Sequence, residues 1–214
     1  MTLRVNEIFC SIQGESLFAG LPCVFVRLSG CNLRCTYCDT RYAYNEGVDM
    51  EFSDIINRID AYGINLVEIT GGEPLIQKET PDIITILLDN GYEVMLETNG
   101  SLDIGSVDNR CIKIVDIKCP GSGESDRNDF ANLHKLTPHD QVKFVIGSRE
   151  DYAYATELEK QIPCEFSRRN ILFSPVFGVL DPAELAGWIV KDRLTVRLHL
   201  QLHKIIWPTA ERGV

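Results

Sequence analysis

Cys31, Cys35 and Cys38 fall within eight residues. Three thiolates in this C-x3-C-x2-C spacing can reach three irons of one four-iron cubane and leave the fourth iron without a protein ligand. An open iron can bind and activate a small molecule. Structural zinc sites close with four ligands, and electron-transfer clusters usually use four cysteines. The same spacing admits a zinc knuckle completed by a distant His or Cys. Cys10, Cys23, Cys111, Cys119 and Cys164 are scattered and read as small core or surface residues. The cysteine run follows a predicted strand over 24–28 and the tight Ser29-Gly30 pair. That places it in a loop at a strand's C-terminal end, where barrel enzymes build their sites.

A second chemical element is Thr70-Gly71-Gly72-Glu73-Pro74, which closes a predicted strand over 66–70. Two glycines let the backbone approach a ligand closely, and the Glu73 carboxylate can accept a bond from a ligand ammonium. Arg27 stands inside the apolar run Val24-Phe-Val-Arg27-Leu28. A guanidinium there is costly unless paired, and a ligand carboxylate would pair it, in the best case bidentately. Gln13, Gly14 and Glu15 offer an amide, a bare backbone and a carboxylate in sequence. The Thr40 hydroxyl after Asp39 suits a hard cation that keeps waters and ligand oxygens.

These residues need elements to hold them. Short runs rich in Val, Ile and Leu predict strands over 24–28, 66–70, 93–97, 112–117, 141–146, 171–174 and 196–202. Between them, amphipathic patterns predict helices over 53–61 with Ser53 as its cap, from Pro81 to Gly91, over 150–161 and over 182–191. The segment 101–110 is too short and polar for a helix, so one crossover is reduced. Alternating strands and helices imply an α/β fold with a parallel sheet. About six such strands are too few for a closed eight-stranded barrel and predict a partial (β/α) TIM-like barrel. The 214 residues form one domain in this reading.

The net charge of −10, with no basic stripe, argues against a nucleic-acid partner and for a small molecule. No apolar run approaches the roughly 20 residues of a membrane span. The first residues, MTLRVNEIF, do not read as a secretory signal. The expected location is cytoplasmic.

The segment from Gly30 to Cys38 resembles the signature loop of the radical S-adenosylmethionine superfamily. The resemblance implies a [4Fe–4S] cluster on Cys31, Cys35 and Cys38, with the open iron chelated by the amino and carboxylate groups of S-adenosylmethionine. One electron from the cluster then cleaves the sulfonium to a 5′-deoxyadenosyl radical. The flanking segments are more specific. They are Glu7 to Ser16 with Ile12-Gln13-Gly14-Glu15, Asp39-Thr40-Arg41-Tyr42, Glu97-Thr-Asn99-Gly100, Asp116-Ile117-Lys118, Ser174-Pro175-Val176-Phe177 and Leu200 to Trp207 with His203-Lys204. Together they closely resemble the 7-carboxy-7-deazaguanine synthases, from residue 5 almost to the end.

That resemblance implies conversion of 6-carboxy-5,6,7,8-tetrahydropterin to 7-carboxy-7-deazaguanine with loss of ammonia, on the way to queuosine or another deazapurine. It implies Mg²⁺ at Thr40, an electron donor such as flavodoxin or ferredoxin, and a homodimer. Tyr37, Cys38, Asp39, Gly72, Glu73, Asp116, Ile117, Lys118, Ser174, Pro175, Val176 and Phe177 carry over as S-adenosylmethionine contacts. Ile12, Gln13, Gly14, Glu15, Arg27 and Thr70 carry over as substrate contacts. The nearest rival is a glycyl-radical-activating enzyme, which acts on a protein and needs neither the Gln13–Glu15 segment nor Arg27. A zinc-binding interaction module is the rival of another class.

If three thiolates hold the cluster, Cys31→Ala, Cys35→Ala or Cys38→Ala each removes most of the iron and sulfide retained after anaerobic reconstitution. Cys10→Ala and Cys164→Ala keep both. Full iron content in any of the first three variants contradicts the assignment.

Overall fold

The computed structural model describes residues 1–214. In chain order the strands are β1 (Thr2–Ile12), β2 (Pro22–Leu28), β3 (Val48–Glu51), β4 (Leu66–Gly71), β5 (Glu93–Thr98), β6 (Ile112–Ile117), β7 (Gln141–Ile146), β8 (Ile171–Pro175) and β9 (Arg197–Leu198). The helices are α1 (Phe52–Asp60), α2 (Thr80–Asp89), α3 (Arg149–Glu159), α4 (Pro182–Lys191) and α5 (Leu202–Ile206). All nine strands join one sheet in the order β3-β1-β2-β4-β5-β6-β7-β8-β9. Neighbours from β2 to β9 are parallel, while β1 pairs antiparallel with β2 and β3. The row does not close, so the curled parallel part is a partial barrel, as expected.

Side chains alternate between the two faces of each strand. Outward positions are apolar and pack under the helices: Val67 and Ile69 of β4 and Leu96 of β5 in one cluster, Val115 of β6 and Phe144 of β7 in another. The inward face differs along its length. At its floor Cys23, Phe25, Leu66, Met95, Ile112 and Ile114 form a small apolar plug. One layer nearer the strands' C-terminal ends, Arg27, Glu97, Asp116 and Lys143 stand inward instead, and Glu68 joins them from the level of Phe25. That polar layer lines the cavity described below.

Several boundaries depart from the sequence reading. β1 and the edge strand β3 are additional. Beyond the buried Leu3, Val5 and Met50 they are half open, so their apolar pattern is diluted. α1 follows β3 directly, with Glu51 at its cap position and Ser53 already helical. The expected last strand over 196–202 shrinks to Arg197–Leu198. The Leu202 amide donates to Gly14 O at 2.9 Å, which draws the chain off the sheet edge and into α5. The reduced crossover is present: no helix lies between β5 and β6, and only short 3₁₀ turns lie between β6 and β7.

The missing crossover leaves Lys113, on the outward face of β6, without a helix over it. Its ammonium is fully buried 3.2 Å from Asp140 Oδ2, without good hydrogen-bond alignment. Asp140 also accepts the amides of Lys113 and Thr137, each at 2.7 Å. Removing one partner of a buried pair strands the other charge. Asp140→Ala therefore costs about 3–5 kcal/mol in denaturant unfolding, and adding Lys113→Met recovers part of it. Equal stability of Asp140→Ala and wild type contradicts this account of the open crossover.

Candidate active site

A cavity of about 540 Å³ opens at the C-terminal ends of the parallel strands. The cysteine loop forms one wall. β4 to β7 form the floor and back, and the Gln13–Glu15 segment with α5 forms the opposite wall.

The loop is held from several sides. The Gly30 amide donates to Ala43 O at 2.8 Å, and Glu73 N–H donates to Gly30 O at 2.8 Å. Thr36 N–H donates to Ser122 O at 3.0 Å, and Arg34 N–H to Glu124 Oε1 at 2.6 Å. Gly72 packs directly against the loop. A Cβ there would lie 2.1 Å from Gly30 O and 2.7 Å from Cys31 Cβ. Glycine is required at Gly72 by this contact, not by its dihedral angles.

Cys31, Cys35 and Cys38 all line the cavity and are free thiols. Leu33 N–H lies 3.5 Å and Asn99 Nδ2 3.8 Å from Cys31 Sγ, donors suited to a thiolate. Burial pushes the Cys31 and Cys35 thiols up, and the Lys118 ammonium works against that rise. The loop thus presents three thiols to one cavity, a donor set that a four-iron cluster with one open iron would take.

On the expected S-adenosylmethionine side, Tyr37, Asp39, Gly72, Asp116, Lys118, Val176 and Phe177 line the cavity. Asp116 is paired with Lys118 at 2.8 Å, and its Oδ1 is buried without a partner. Tyr37 donates to Val145 O at 3.4 Å. Four expected contacts lie elsewhere. Ile117 points outward into the helix-side core. Ser174 and Pro175 are buried in β8 and do not line the cavity. Glu73 is fully buried, and its carboxylate accepts from Thr98 Oγ1 at 2.8 Å, Asn99 N at 2.6 Å and Leu75 N at 3.0 Å. Burial raises its pKa against those three bonds. Glu73 thus ties the ends of β4 and β5 behind the cysteine loop, while Gly72 faces the space.

The substrate-side residues Ile12, Gln13, Gly14, Glu15, Arg27 and Thr70 all line the cavity. Arg27 already has a protein partner, because its Nε donates to Glu7 Oε1 at 2.8 Å. Tyr42 OH donates to the same oxygen at 2.8 Å. The guanidinium is thereby fixed by its Nε edge, which leaves the terminal nitrogens available. Gln13 donates through Nε2 to Glu68, and Thr70 Oγ1 to Glu97 at 3.3 Å. Gly14 allows His203 to sit against the backbone, since a Cβ there would lie 2.2 Å from His203 Nδ1. Burial lowers the His203 pKa, against the pull of Glu15 and Asp39. The Thr40 hydroxyl lies 3.8 Å from Cys38 Sγ at the cavity edge.

Glu68, Glu97 and Lys143 escaped sequence reasoning as site residues. Each is a charge inside an apolar strand, the signal that singled out Arg27. Lys143 Nζ reaches Glu15 at 2.9 Å, Asp116 at 3.7 Å and also Glu97. Burial opposes its charge, but these carboxylates hold its pKa well above the usual lysine value. Burial likewise opposes ionisation of Glu15, yet the Lys143 ammonium holds that carboxyl well below its ordinary range. Gln201 Nε2 donates to Glu15 Oε1 at 2.9 Å, and Lys204 pairs with Asp39 across the cavity mouth.

The partial barrel and its three-cysteine loop define a radical S-adenosylmethionine protein, and the Radical SAM superfamily pattern matches residues 25–118. The cluster and S-adenosylmethionine follow from that family. Relatives that match nearly the whole chain bear the name 7-carboxy-7-deazaguanine synthase. The one from Koribacter versatilis is 42% identical over 99% of this chain and 100% of its own length. The one from Chlorobaculum tepidum is 45% identical over 99% and 97%. The chain belongs to the 7-carboxy-7-deazaguanine synthase family. Among solved structures, QueE from Escherichia coli shares the fold with a TM-score of 0.76 at 23% identity, covering 94% of each chain. Streptococcus suis SuiB, solved with its precursor peptide SuiA, matches 80% of this chain and 46% of its own at a TM-score of 0.54 and 13% identity.

The Gly72 contact generates a direct test. Gly72→Ala forces its Cβ into Gly30 and Cys31 and displaces the cysteine loop. The variant folds but retains less than about a tenth of the iron after reconstitution, with circular dichroism reporting the fold. Undiminished iron content contradicts the packing described.

Proposed function

We propose that this chain converts 6-carboxy-5,6,7,8-tetrahydropterin to 7-carboxy-7-deazaguanine with loss of ammonia, within queuosine or another deazapurine pathway. The observation that carries the reading is one continuous cavity. It is lined by three thiols and Lys118 and also by a fixed guanidinium with hydrogen-bonding carboxyl and amide groups. Near-full-length kinship with proteins of that name supports it. No helix is long and apolar enough to cross a membrane. A cytoplasmic setting, a single domain, a homodimer and a flavodoxin- or ferredoxin-type donor complete the proposal.

The cluster and S-adenosylmethionine supply radical chemistry when bound, and the protein's part is to bind, orient and exclude water. Lys118 offsets the negative charge of the cysteine thiolates. Arg27, braced by Glu7, directs its terminal nitrogens at the substrate carboxylate. Gln13, Glu15 and Thr70 meet the pterin's polar edges, with Ile12 and Gly14 shaping the same wall. Lys143 keeps Glu15 ionised and in place. The Lys204–Asp39 pair pins α5 over the mouth, which restricts water. Thr40 would offer its hydroxyl to Mg²⁺, a hard cation that takes oxygen ligands.

The glycyl-radical-activating alternative would leave Arg27 without a small carboxylate to hold, so binding measurements separate the two. Hydrogen bonds to charged groups are worth roughly 1.5–3 kcal/mol each. Arg27→Met therefore binds the carboxytetrahydropterin roughly ten- to a hundred-fold more weakly, with cluster and S-adenosylmethionine binding intact. Arg27→Lys restores only part, because an ammonium lacks the planar fork. A decarboxylated analogue is insensitive to both changes. Equal binding of the substrate by Arg27→Met and wild type removes Arg27 as the carboxylate anchor.

A further inference from the structure

Five side-chain carboxyl groups line the cavity: Glu15, Asp39, Glu68, Glu97 and Asp116. Four have a lysine partner. Glu15 and Glu97 share Lys143, Asp116 pairs with Lys118, and Asp39 pairs with Lys204. Glu68 forms no ion pair, although it is only 4% exposed. One of its oxygens, Oε2, accepts from Gln13 Nε2. The other, Oε1, has no donor in the protein. A buried carboxyl without an ion pair is costly, and no group of the fold uses its second oxygen.

Its depth is informative. Arg27 stands opposite Thr70 in the β2–β4 register, and Phe25 opposite Glu68. Glu68 therefore lies two residues below the Arg27 layer, about 6.6 Å along the strand. That distance is comparable to the span of two fused six-membered rings. A pterin whose carboxylate meets Arg27 would carry its far edge down to Glu68, beside the apolar wall of Phe25. That edge of a 2-amino-4-oxopyrimidine presents two parallel N–H donors, from N3 and the 2-amino group. A carboxylate is the matching two-oxygen acceptor.

Resting on the functional reading above, we infer that Glu68 is a specificity-determining residue, which accepts hydrogen bonds from the N3–H and 2-amino groups of the substrate's pyrimidine ring. The groups facing Glu68 bear on its protonation. Burial, and then the nearby Glu97 charge, raise its pKa to about 8 against the Gln13 bond; Glu15 adds to the rise and Lys143 opposes it. The Cys23 thiol, itself pushed up by burial, is also close and neutral. In the empty cavity at pH 7 the carboxyl thus holds a proton. The donor edge favours the ionised form, so substrate binding releases that proton. Affinity then rises with pH and levels off above about 8.

The test is anaerobic calorimetry on cluster-loaded wild type and Glu68→Gln, at pH 7 in two buffers of different ionisation enthalpy. The titrants are 6-carboxy-5,6,7,8-tetrahydropterin and an analogue lacking the 2-amino group. Glu68→Gln keeps the volume and can still accept from Gln13, but turns an amide N–H₂ towards the substrate's donors. The variant is expected to bind the tetrahydropterin roughly ten- to a hundred-fold more weakly and without the proton release seen in wild type. Unchanged S-adenosylmethionine binding shows that it has folded. The analogue should distinguish the two proteins far less. Wild-type affinity and proton release in Glu68→Gln would overturn the inference while leaving the functional reading standing. Failure of wild type to bind the tetrahydropterin at all would overturn that reading, and the inference with it.

Discussion

The Lys143 ammonium, buried among Glu15, Glu97 and Asp116, is the interaction on which the cavity depends. The three carboxylates come from the segment after β1, from β5 and from β6, and the ammonium from β7. Apart from one another these groups would not stay charged inside a barrel, because desolvation of an isolated ion exceeds any local gain. Together they keep Lys143 protonated and Glu15 ionised. One side chain therefore couples β6, through Asp116, to the segment after β1, through Glu15. The cavity stays polar and open because its charges satisfy one another across four segments.

That solution relies on the two-residue period of a strand. Outward side chains of β4 to β8 are almost uniformly apolar and bind the helices, so they supply the stability. Inward positions near the strands' C-terminal ends are then free to carry charge. The exception proves instructive: where the helix between β5 and β6 is missing, an outward charge, Lys113, appears and needs the buried Asp140. Glu73 works at the seam between layers. It spends its carboxylate on Thr98, Asn99 and Leu75, which fixes the strand ends against which the cysteine loop rests.

Much of this was legible in the sequence. β6 and β7 match their expected limits residue for residue, because both are fully flanked strands whose apolar runs end sharply. The cysteine loop announced itself by residue type and spacing alone. β1 and β3 were less visible, since a half-exposed strand mixes polar and apolar residues without strict alternation. The start of α5 resembles the end of a strand in sequence, because its fate is decided by one long-range bond, from Leu202 to Gly14. Arg27 was found as a charge within an apolar strand, and Glu68, Glu97 and Lys143 bear the same mark. Glu73 illustrates the opposite difficulty. After the Gly71-Gly72 pair the chain turns, and no periodicity tells which side of the turn its carboxylate takes.

The most direct measurement is anaerobic incubation of the cluster-loaded protein with 6-carboxy-5,6,7,8-tetrahydropterin, S-adenosylmethionine, reductant and Mg²⁺, followed by mass detection. The result expected is 7-carboxy-7-deazaguanine with matching release of ammonia, over repeated turnovers that leave the S-adenosylmethionine pool undepleted. Steady cleavage of S-adenosylmethionine with no deazapurine formed would contradict the account.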